Sequence, residues 1–365
     1  MIREQLLVTG YPSLQARKLV EYVLAAEPET RVALVVPPEL TSTAREHLAR
    51  LGKDETRTEL FEGEPAALDM GLSGAELRSL SRRVTRIHHV AHESYVGADR
   101  ATAERVNVQG AVEAVELARS CGELSCLIHH STAHVSGDRA GIVYESELDE
   151  GQGFHSVEQE TRMRAELVMR RAMAKLPIAV VRPTMVVGDS DTGEADRLDG
   201  AYLLVMLLLG LPGDLAVPLP TGSNNPLDIV PVDYVVKAAR HLGLRRDARG
   251  QTFHLASSEK LTAQEVFDTI AKAGGRRTTR SILPSRIATI LSRTPAVARF
   301  IHEPRALVQQ LATKARYDTR HGDRLLADSG LTCPPLESYV ATLVATVQER
   351  FRERQSTGER PEPQA

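Results

Sequence analysis

The sequence predicts an α/β fold in which helices cover both faces of a doubly wound parallel sheet. Short runs rich in Val, Ile and Leu alternate with helical stretches through the first half of the chain, which is the pattern of a parallel sheet. The first run, Leu6–Val8, ends in Thr9-Gly10, and a helical stretch follows at once. With 365 residues, the chain can bury one large core or two smaller ones.

The alternation can be followed element by element. The predicted strands are Leu6–Val8, Arg31–Val36, Thr58–Glu62, Ile87–Val90, Leu124–His130 and Ile178–Val181. The predicted helices are Leu14–Ala26, Thr43–Leu51, Ala101–Ala118 and Val157–Ala174. The apolar run Tyr202–Leu211 has the length of a buried helix and is too short to span a bilayer, which needs about 20 residues. We therefore expect it in the core, with a lipid-facing surface as the minority alternative.

Composition and charge exclude several classes of function. The net charge of -3 leaves no basic stripe for nucleic acid. Cys121, Cys126 and Cys333 lack metal-ligand spacing, and we expect neither a metal site nor a disulfide from them. The N-terminal residues enter a strand without a signal peptide, which predicts a cytoplasmic protein with no membrane span.

Three motifs carry a resemblance to a known family. Ser131–Gly137 reads STAHVSG, Asn107–Gly110 reads NVQG, and Val181–Gly188 reads VRPTMVVG. They resemble the extended short-chain dehydrogenase/reductases, in the branch that holds NAD-dependent epimerases and dehydratases, fatty acyl-CoA reductases and thioester reductases. The resemblance covers about Leu6 to Phe351 and implies a Rossmann-type sheet with a smaller C-terminal α/β substrate domain.

The same resemblance implies how the chain is divided. Residues 1–188 would form the dinucleotide-binding-like domain, and residues 189–352 would supply a substrate-binding-like region interleaved with it. The tail, residues 353–365, is rich in Pro, Glu and Gln, and we expect it to be disordered.

The catalytic positions of the family hold unusual residues. Relatives use a Ser or Thr together with a Tyr and a Lys one helical turn apart. Aligning on Ala165-Glu166 places Thr132 at the hydroxyl position, Glu158 at the Tyr and Arg162 at the Lys. No Tyr in the chain is followed by Lys four residues later. An ionised carboxylate only accepts hydrogen bonds and an arginine stays charged, so this pair cannot relay protons as Tyr and Lys do.

The turn that would hold a dinucleotide also departs from the family pattern. Gly10 is kept and Ala16 stands in for the last glycine, but Ser13 replaces the middle one and Pro12 removes an amide donor. Val36 precedes two prolines instead of an acidic or basic residue. The resemblance implies the cofactor-lining positions Gly10, Ser13, Ala16, Val36, Glu64, Ala91, Asn107, Arg182 and Pro183. We expect no cofactor or only weak NAD(P) binding, and no metal.

Histidines gather at the ends of two strands that should be neighbours. They are His88, His89, His92, His129, His130 and His134. Ligands bind at the carboxyl ends of strands in open α/β sheets, so a metal or a histidine base is one interpretation. Side chains alternate between the faces of a strand, so these rings cannot all converge. Burial with hydrogen bonding explains most of them.

Three hypotheses of function stay open. The first is a catalytically silent family member, a pseudoenzyme acting as a scaffold or regulator with an unknown protein partner, in which Glu158 and Arg162 form only an i,i+4 pair worth about 0.2–0.5 kcal/mol. The second is an NAD(P)-dependent oxidoreductase or epimerase that acts on an acyl or other carbonyl substrate through residues such as Glu158 or His134. The third, a lipid or acyl-group binding module, shares features with both. The resemblance also implies a homodimer formed by the helices Ala101–Ala118 and Val157–Ala174.

Overall fold

The computed structural model describes residues 4–93, 98–198, 201–210, 217–219, 224–276, 278–282 and 314–357. The strands are β1 (Glu4–Thr9), β2 (Thr30–Val36), β3 (Thr58–Glu62), β4 (Arg86–His89), β5 (Cys126–His130), β6 (Ala140–Val143), β7 (Ile178–Pro183), β8 (Met185–Val187), β9 (Val217–Leu219), β10 (Ile229–Pro231), β11 (Thr252–Leu255), β12 (Thr278–Ile282) and β13 (Lys314–Tyr317). The helices are α1 (Leu14–Ala26), α2 (Thr41–Arg50), α3 (Gly74–Arg83), α4 (Arg100–Ala103), α5 (Gly110–Ser120), α6 (Val157–Ala172), α7 (Ala201–Gly210), α8 (Val232–Leu244), α9 (Ala263–Ala273), α10 (Arg320–Leu326) and α11 (Leu336–Thr357).

A seven-stranded parallel sheet runs in the order β11-β7-β5-β4-β1-β2-β3. The order reverses between β1 and β4, because β2 and β3 extend the sheet on one side and β4, β5 and β7 on the other. A crevice opens at the carboxyl ends of strands at such a switch point, which is where ligands bind in this class of fold. The predicted Rossmann-type α/β architecture is confirmed.

Helix α3 was not predicted from the sequence. Leu80 is its one fully buried apolar residue, so the periodic apolar signal is weak. Its start is marked instead by a capping box, in which Ser73 and Glu76 each accept a hydrogen bond from the other's backbone amide. The Ser-x-x-Glu spacing was therefore the available signal.

The long helix predicted over residues 101–118 is interrupted. Between α4 and α5, Glu104–Gln109 forms a π-helical segment, and Asn107 in its middle is 2% exposed. The hydrogen bonds of a π segment span five residues, one more than in an α-helix, so the segment changes which side chains face inward. Here it turns the Asn107 amide into the protein.

The apolar run near residue 202 is a core element, as expected. Helix α7 buries Tyr202, Leu204 and Val205 against α9 and α11. Among the described residues, no helix is both long enough and apolar enough to cross a membrane.

The C-terminal part of the chain returns to the first half. Strand β11 pairs with β7 in the main sheet, and β13 pairs with β6 in a two-stranded sheet. The division at residue 188 stays a prediction. The tail differs from expectation, because α11 continues to Thr357. Its first half, which includes Tyr339 and Val347, is packed in the core. Because the helix is already nucleated there, each further turn adds hydrogen bonds at little cost in free energy. Residues 358–365 lie outside the described residues.

Candidate functional site

The turn after β1 has the geometry that a dinucleotide turn needs. Gly10 has a φ of +81°, and a Cβ there would lie 2.6 Å from the backbone nitrogen of Ala91. Only glycine permits that close approach between the segments that follow β1 and β4. Ala16 is fully buried between α1 and the sheet, which is the packing role expected of the last position in the motif.

The N-terminus of α1 accepts an anion. The backbone nitrogen of Leu14 donates to Oδ2 of Asp196 at 2.5 Å. Ser13 is the N-cap residue, and its hydroxyl makes no capping hydrogen bond. Helix N-termini attract negative charge through their free amides and their dipole, and phosphates bind there for the same reason. The residues of this turn therefore fit the pyrophosphate of a dinucleotide.

The other implied cofactor positions separate into two groups. Val36 ends β2 as a buried apolar residue, and Glu64, just beyond β3, pairs with Arg105 at 3.4 Å. Both lie at the carboxyl-end edge of the sheet, because Val36 is the last residue of β2, next to β1, and Glu64 comes two residues after β3, next to β2. Arg182 and Pro183, by contrast, end β7, and the Arg182 side chain is bound elsewhere.

Arg182 belongs to a buried ion network centred on Glu166. The Glu166 carboxylate accepts hydrogen bonds from Ser131 Oγ at 2.7 Å, Arg182 Nη2 at 2.7 Å and Arg170 Nε at 2.8 Å. Burial alone would raise the pKa of Glu166, but the two guanidinium groups and the Ser131 hydroxyl outweigh it, and the pKa is lowered. Glu166 and Arg182 therefore hold α6 on the sheet, and neither reaches the crevice as a free group.

The structure places Arg162 of α6 against the segment that carries Thr132. Thr132 follows β5, is 9% exposed, and accepts a hydrogen bond from the backbone of His134 at 3.2 Å. Arg162 is buried, and its Nη2 donates to the carbonyl of His130 at 3.1 Å. Burial lowers the pKa of Arg162 while Glu158 opposes that change, and the guanidinium stays cationic at neutral pH. Arg162 thus points inward under the Thr132 loop, and does not lie on a solvated helix face.

Asn107 connects the two walls of the crevice. Its Oδ1 accepts from the backbone nitrogen of Glu93 at 2.8 Å, and its Nδ2 donates to Thr161 Oγ1 at 2.9 Å. Glu93 follows β4, and Thr161 lies on α6 one residue before Arg162. Asn107 therefore positions the segments that carry the candidate catalytic residues.

The strand histidines are mostly core residues. His88 Nδ1 lies 3.0 Å from His130 Nε2, and His89 Nδ1 lies 2.9 Å from Thr9 Oγ1. Burial, followed by the charge of Arg162, lowers the pKa of His89 to about 4. The interpretation as buried, hydrogen-bonded histidines is confirmed for these three. Within the part of the chain that the structure describes, no group of three or more His, Cys, Asp or Glu could hold a metal ion.

His134 differs from the other histidines because it lines a pocket. The apolar wall of this pocket includes Met185, Leu227 and Leu261. Its other polar side chains are those of Thr184, Asp228, Lys260, Thr262, Arg316 and Tyr317. Burial and the charge of Arg162 lower the pKa of His134 to about 4, so the ring is neutral at pH 7.

The polar groups of this pocket are ordered by hydrogen bonds. Asp228 Oδ1 accepts from Ser257 N at 2.7 Å and Thr184 Oγ1 at 3.1 Å, and burial raises its pKa to about 6. The Tyr317 hydroxyl lies 3.2 Å from Ser136 Oγ. Sequence reasoning did not place Asp228 or Tyr317 in a site, because they come from distant segments that meet only in the fold.

Comparison with known proteins adds the family. The chain matches the NAD-binding family described as Male sterility protein over residues 8–239. It is 24% identical over 232 residues to a putative fatty acyl-CoA reductase of Drosophila melanogaster, a match that covers 54% of this chain and 42% of that protein. It is 20% identical over 373 residues to probable fatty acyl-CoA reductase 5 of Arabidopsis thaliana, covering 81% and 74% of the two chains. The chain therefore spans less than half the length of the Drosophila relative.

Two solved structures share the fold. The terminal R domain from the myxalamid PKS-NRPS biosynthetic pathway has a TM-score of 0.79 at 22% identity, covering 95% of this chain and 91% of that one. UDP-glucuronic acid 4-epimerase from Bacillus cereus, in complex with NAD, has a TM-score of 0.69 at 16% identity, covering 95% and 99%. The resemblance inferred from the sequence motifs is confirmed.

The expectation of no cofactor or only weak NAD(P) binding is wrong, since the matched family is an NAD-binding one. The expectation gave too much weight to Ser13 and Pro12. The turn keeps its close backbone approach at Gly10, and the Leu14 N–H donates to a carboxylate without a glycine at position 13. Anion binding here depends on backbone amides more than on the missing glycine. The chain belongs to the Male sterility family of NAD-binding proteins.

Proposed function

We propose that the chain is an NAD(P)-dependent oxidoreductase that reduces an acyl thioester to an aldehyde. The NAD-binding family supports the cofactor, and relatives described as fatty acyl-CoA reductases support the acyl class. The observation that carries the reaction type is the buried cation of Arg162 under the Thr132–His134 loop.

Thioester reduction is chemistry that tolerates the loss of a Tyr-Lys pair. NAD(P)H, when bound, supplies a hydride to the carbonyl carbon. The carbonyl oxygen then carries a negative charge until the C=O bond re-forms, the C–S bond breaks, and a thiolate leaves to take its proton from water. The thioester is reduced by two electrons, and no proton needs to reach the oxygen. Reduction of the aldehyde to an alcohol, in contrast, needs a proton on that oxygen.

The residues present suit stabilisation of an oxyanion. Arg162 supplies a fixed positive charge in a buried site, where charge stabilisation is stronger than in water. The Thr132 hydroxyl can donate to the same oxygen. The neutral ring of His134 also keeps one N–H, and a neutral imidazole can polarise a carbonyl. Glu158, which is half-buried at the start of α6, is the alternative acid-base group.

The pocket beside His134 suits an acyl chain joined to an anionic carrier group. Its apolar wall is formed in part by Met185, Leu227 and Leu261, while Lys260 and Arg316 are exposed cations. An apolar wall favours burial of methylene groups, and the cations attract phosphate. The silent scaffold remains the competing hypothesis for the function. The homodimer through α5 and α6 remains a prediction.

The test follows NADPH and NADH oxidation with long-chain acyl-CoA, and separately with the matching aldehyde, with product identification by chromatography. We expect aldehyde from the thioester and little alcohol. Removing the cation, Arg162→Met, should lower turnover by about 10²–10³-fold, as removal of an oxyanion-stabilising donor does. Arg164→Gln is the matched control, because Arg164 lies on the same helix and pairs at the surface with Glu104.

Three outcomes decide between the hypotheses. Turnover that survives Arg162→Met and is abolished by Glu158→Gln would move the chemistry to Glu158. Alcohol as the main product would contradict the two-electron reaction. A folded wild type that binds NADPH and turns over neither substrate would support the silent scaffold.

A further inference from the structure

A loop rich in carboxylates folds onto the first turn of α1. We call Asp189–Asp196, which follows β8, the acidic loop. Its last residue, Asp196, accepts the hydrogen bond from Leu14 N at 2.5 Å described above. The amide that opens α1 is therefore bound to a side chain that lies 182 positions later in the sequence.

Two cations of α1 fasten the acidic loop. Arg17 Nη2 lies 2.8 Å from Asp196 Oδ1 and 2.6 Å from Glu194 Oε1. Lys18 Nζ lies 2.7 Å from Glu194 Oε2 and 3.4 Å from Asp189 Oδ2. The side chains of Arg17 and Lys18 are only 15% and 11% exposed, so these contacts are partly shielded from solvent.

The other side of the loop is held by α11. Gly193 has a φ of +72°, and its carbonyl accepts from Thr346 Oγ1 at 3.0 Å. Arg350 donates to the carbonyl of Ala195. The backbone next to Asp196 is thus anchored away from α1, and the contact with α1 itself is made by side chains.

This arrangement conflicts with a bound dinucleotide. In this fold the pyrophosphate lies at the N-terminus of the first helix, next to the glycine of the turn. The Asp196 carboxylate already takes the Leu14 amide and one edge of Arg17. A phosphate and a carboxylate cannot share that amide, and their charges repel.

We propose that Asp196 is an internal anion in the pyrophosphate position, and that the acidic loop is a gate that the dinucleotide displaces. The proposal rests on the proposed function only in that NAD(P) is the ligand of this turn. Displacement frees Arg17 to pair with phosphate. The acidic loop and the dinucleotide compete for the same amide, and such coupling is reciprocal. The free energy by which the loop opposes dinucleotide binding therefore equals the free energy by which binding destabilises the loop's contact with α1.

The experiment compares NADPH affinity, by fluorescence titration, in wild type, Asp196→Asn and Asp191→Asn. Asp196→Asn removes the competing charge and should tighten binding by about 2- to 5-fold at low salt, the size of a single charge effect at a helix N-terminus. Asp191→Asn makes the same charge change in the same loop, on an exposed residue, and should leave the affinity unchanged. Hydrogen exchange of residues 189–198 should speed up in wild type when NADPH saturates it.

The outcomes separate this proposal from the proposed function. Tighter NADPH binding by Asp196→Asn alone supports the gate even if no thioester is turned over. Equal affinity of wild type and Asp196→Asn overturns it, as does equal tightening by Asp191→Asn, which would indicate a general charge effect. Failure of every variant to bind NADPH, with α1 folded, also overturns it.

Discussion

The crevice has two sides, the turn into α1 (the α1 wall) and helix α6 (the α6 wall), and the sequence motifs predict a different departure from the family pattern on each. On the α1 wall the motif residue at position 13 changed, yet Gly10 still makes its close approach to Ala91 and the helix end still accepts an anion. On the α6 wall the helix is kept, and the alignment of the sequence predicts Glu158 and Arg162 at the positions where relatives carry the residues that move protons. Anion binding by backbone amides survives side-chain replacement, whereas acid-base catalysis depends on the side chain itself. The comparison predicts that cofactor binding tolerates these replacements better than acid-base catalysis does, so that any change of chemistry lies on the α6 wall.

The largest expected effect tests what holds the α6 wall. Glu166→Ala removes the carboxylate between the buried guanidinium of Arg182 and the partly exposed one of Arg170, and should lower the free energy of unfolding by about 3–5 kcal/mol, since the buried charge of Arg182 is left unpaired. Urea unfolding measures the change. Glu160→Ala is the control on the same helix, where the partly exposed ion pair with Arg100 should contribute far less. Equal losses would mean that Glu166 does not anchor this wall.

The α1 wall is tested by replacing Gly10, with Gly52 as the control, because both glycines have a positive φ. Gly52 has a φ of +61° and nothing within 4 Å of an added Cβ, so Gly52→Ala should cost about 1–2 kcal/mol from backbone conformation alone. Gly10→Ala has that cost and a clash with the Ala91 backbone, about 1–3 kcal/mol more. Thermal unfolding and NADPH titration would be measured on both variants. Only Gly10→Ala should weaken NADPH binding, and unchanged affinity in that variant would contradict the proposed turn geometry.

The smallest effect concerns the histidines between the two walls. Burial lowers the pKa of His89 to about 4 and of His130 to about 3, while the unfolded chain keeps about 6.5. Above pH 6.5 the two rings are neutral in both the folded and the unfolded state, so their titration does not change the free energy of unfolding. As pH falls below 6.5 the unfolded state gains protons first, so stability falls, by about 2 kcal/mol per histidine at pH 5.

Urea midpoints at pH 8, 6.5 and 5 would measure that slope. His130→Asn should make it shallower by the share of one histidine, whereas His155→Asn, at an exposed position, should leave it unchanged. A slope that is identical in all three proteins would show that other groups cause the loss of stability in acid.

Much of the fold could be predicted because the strands are short apolar runs with clear ends. Strand β3 and helix α1 agree with the predicted boundaries. The inward direction of Arg162 was also available, because it shares a helical face with Ala165 and Met169, both buried. The pocket could not be predicted from the sequence, because Asp228 and Tyr317 are brought next to His134 only by the arrangement of strands in the fold. The contact of Asp196 with Leu14 joins segments too far apart for any local pattern to indicate it.

The π-helical segment Glu104–Gln109 places opposite demands on the length of its helix. Losing one residue there would restore regular α-helical hydrogen bonds, which local stability favours. The same deletion would rotate one end of the helix relative to the other by about 100°, the turn of one residue. Asn107 could then no longer hold both Glu93 and Thr161. Selection for a stable helix and selection for a working crevice therefore favour different chain lengths, and the extra residue indicates which of the two prevailed.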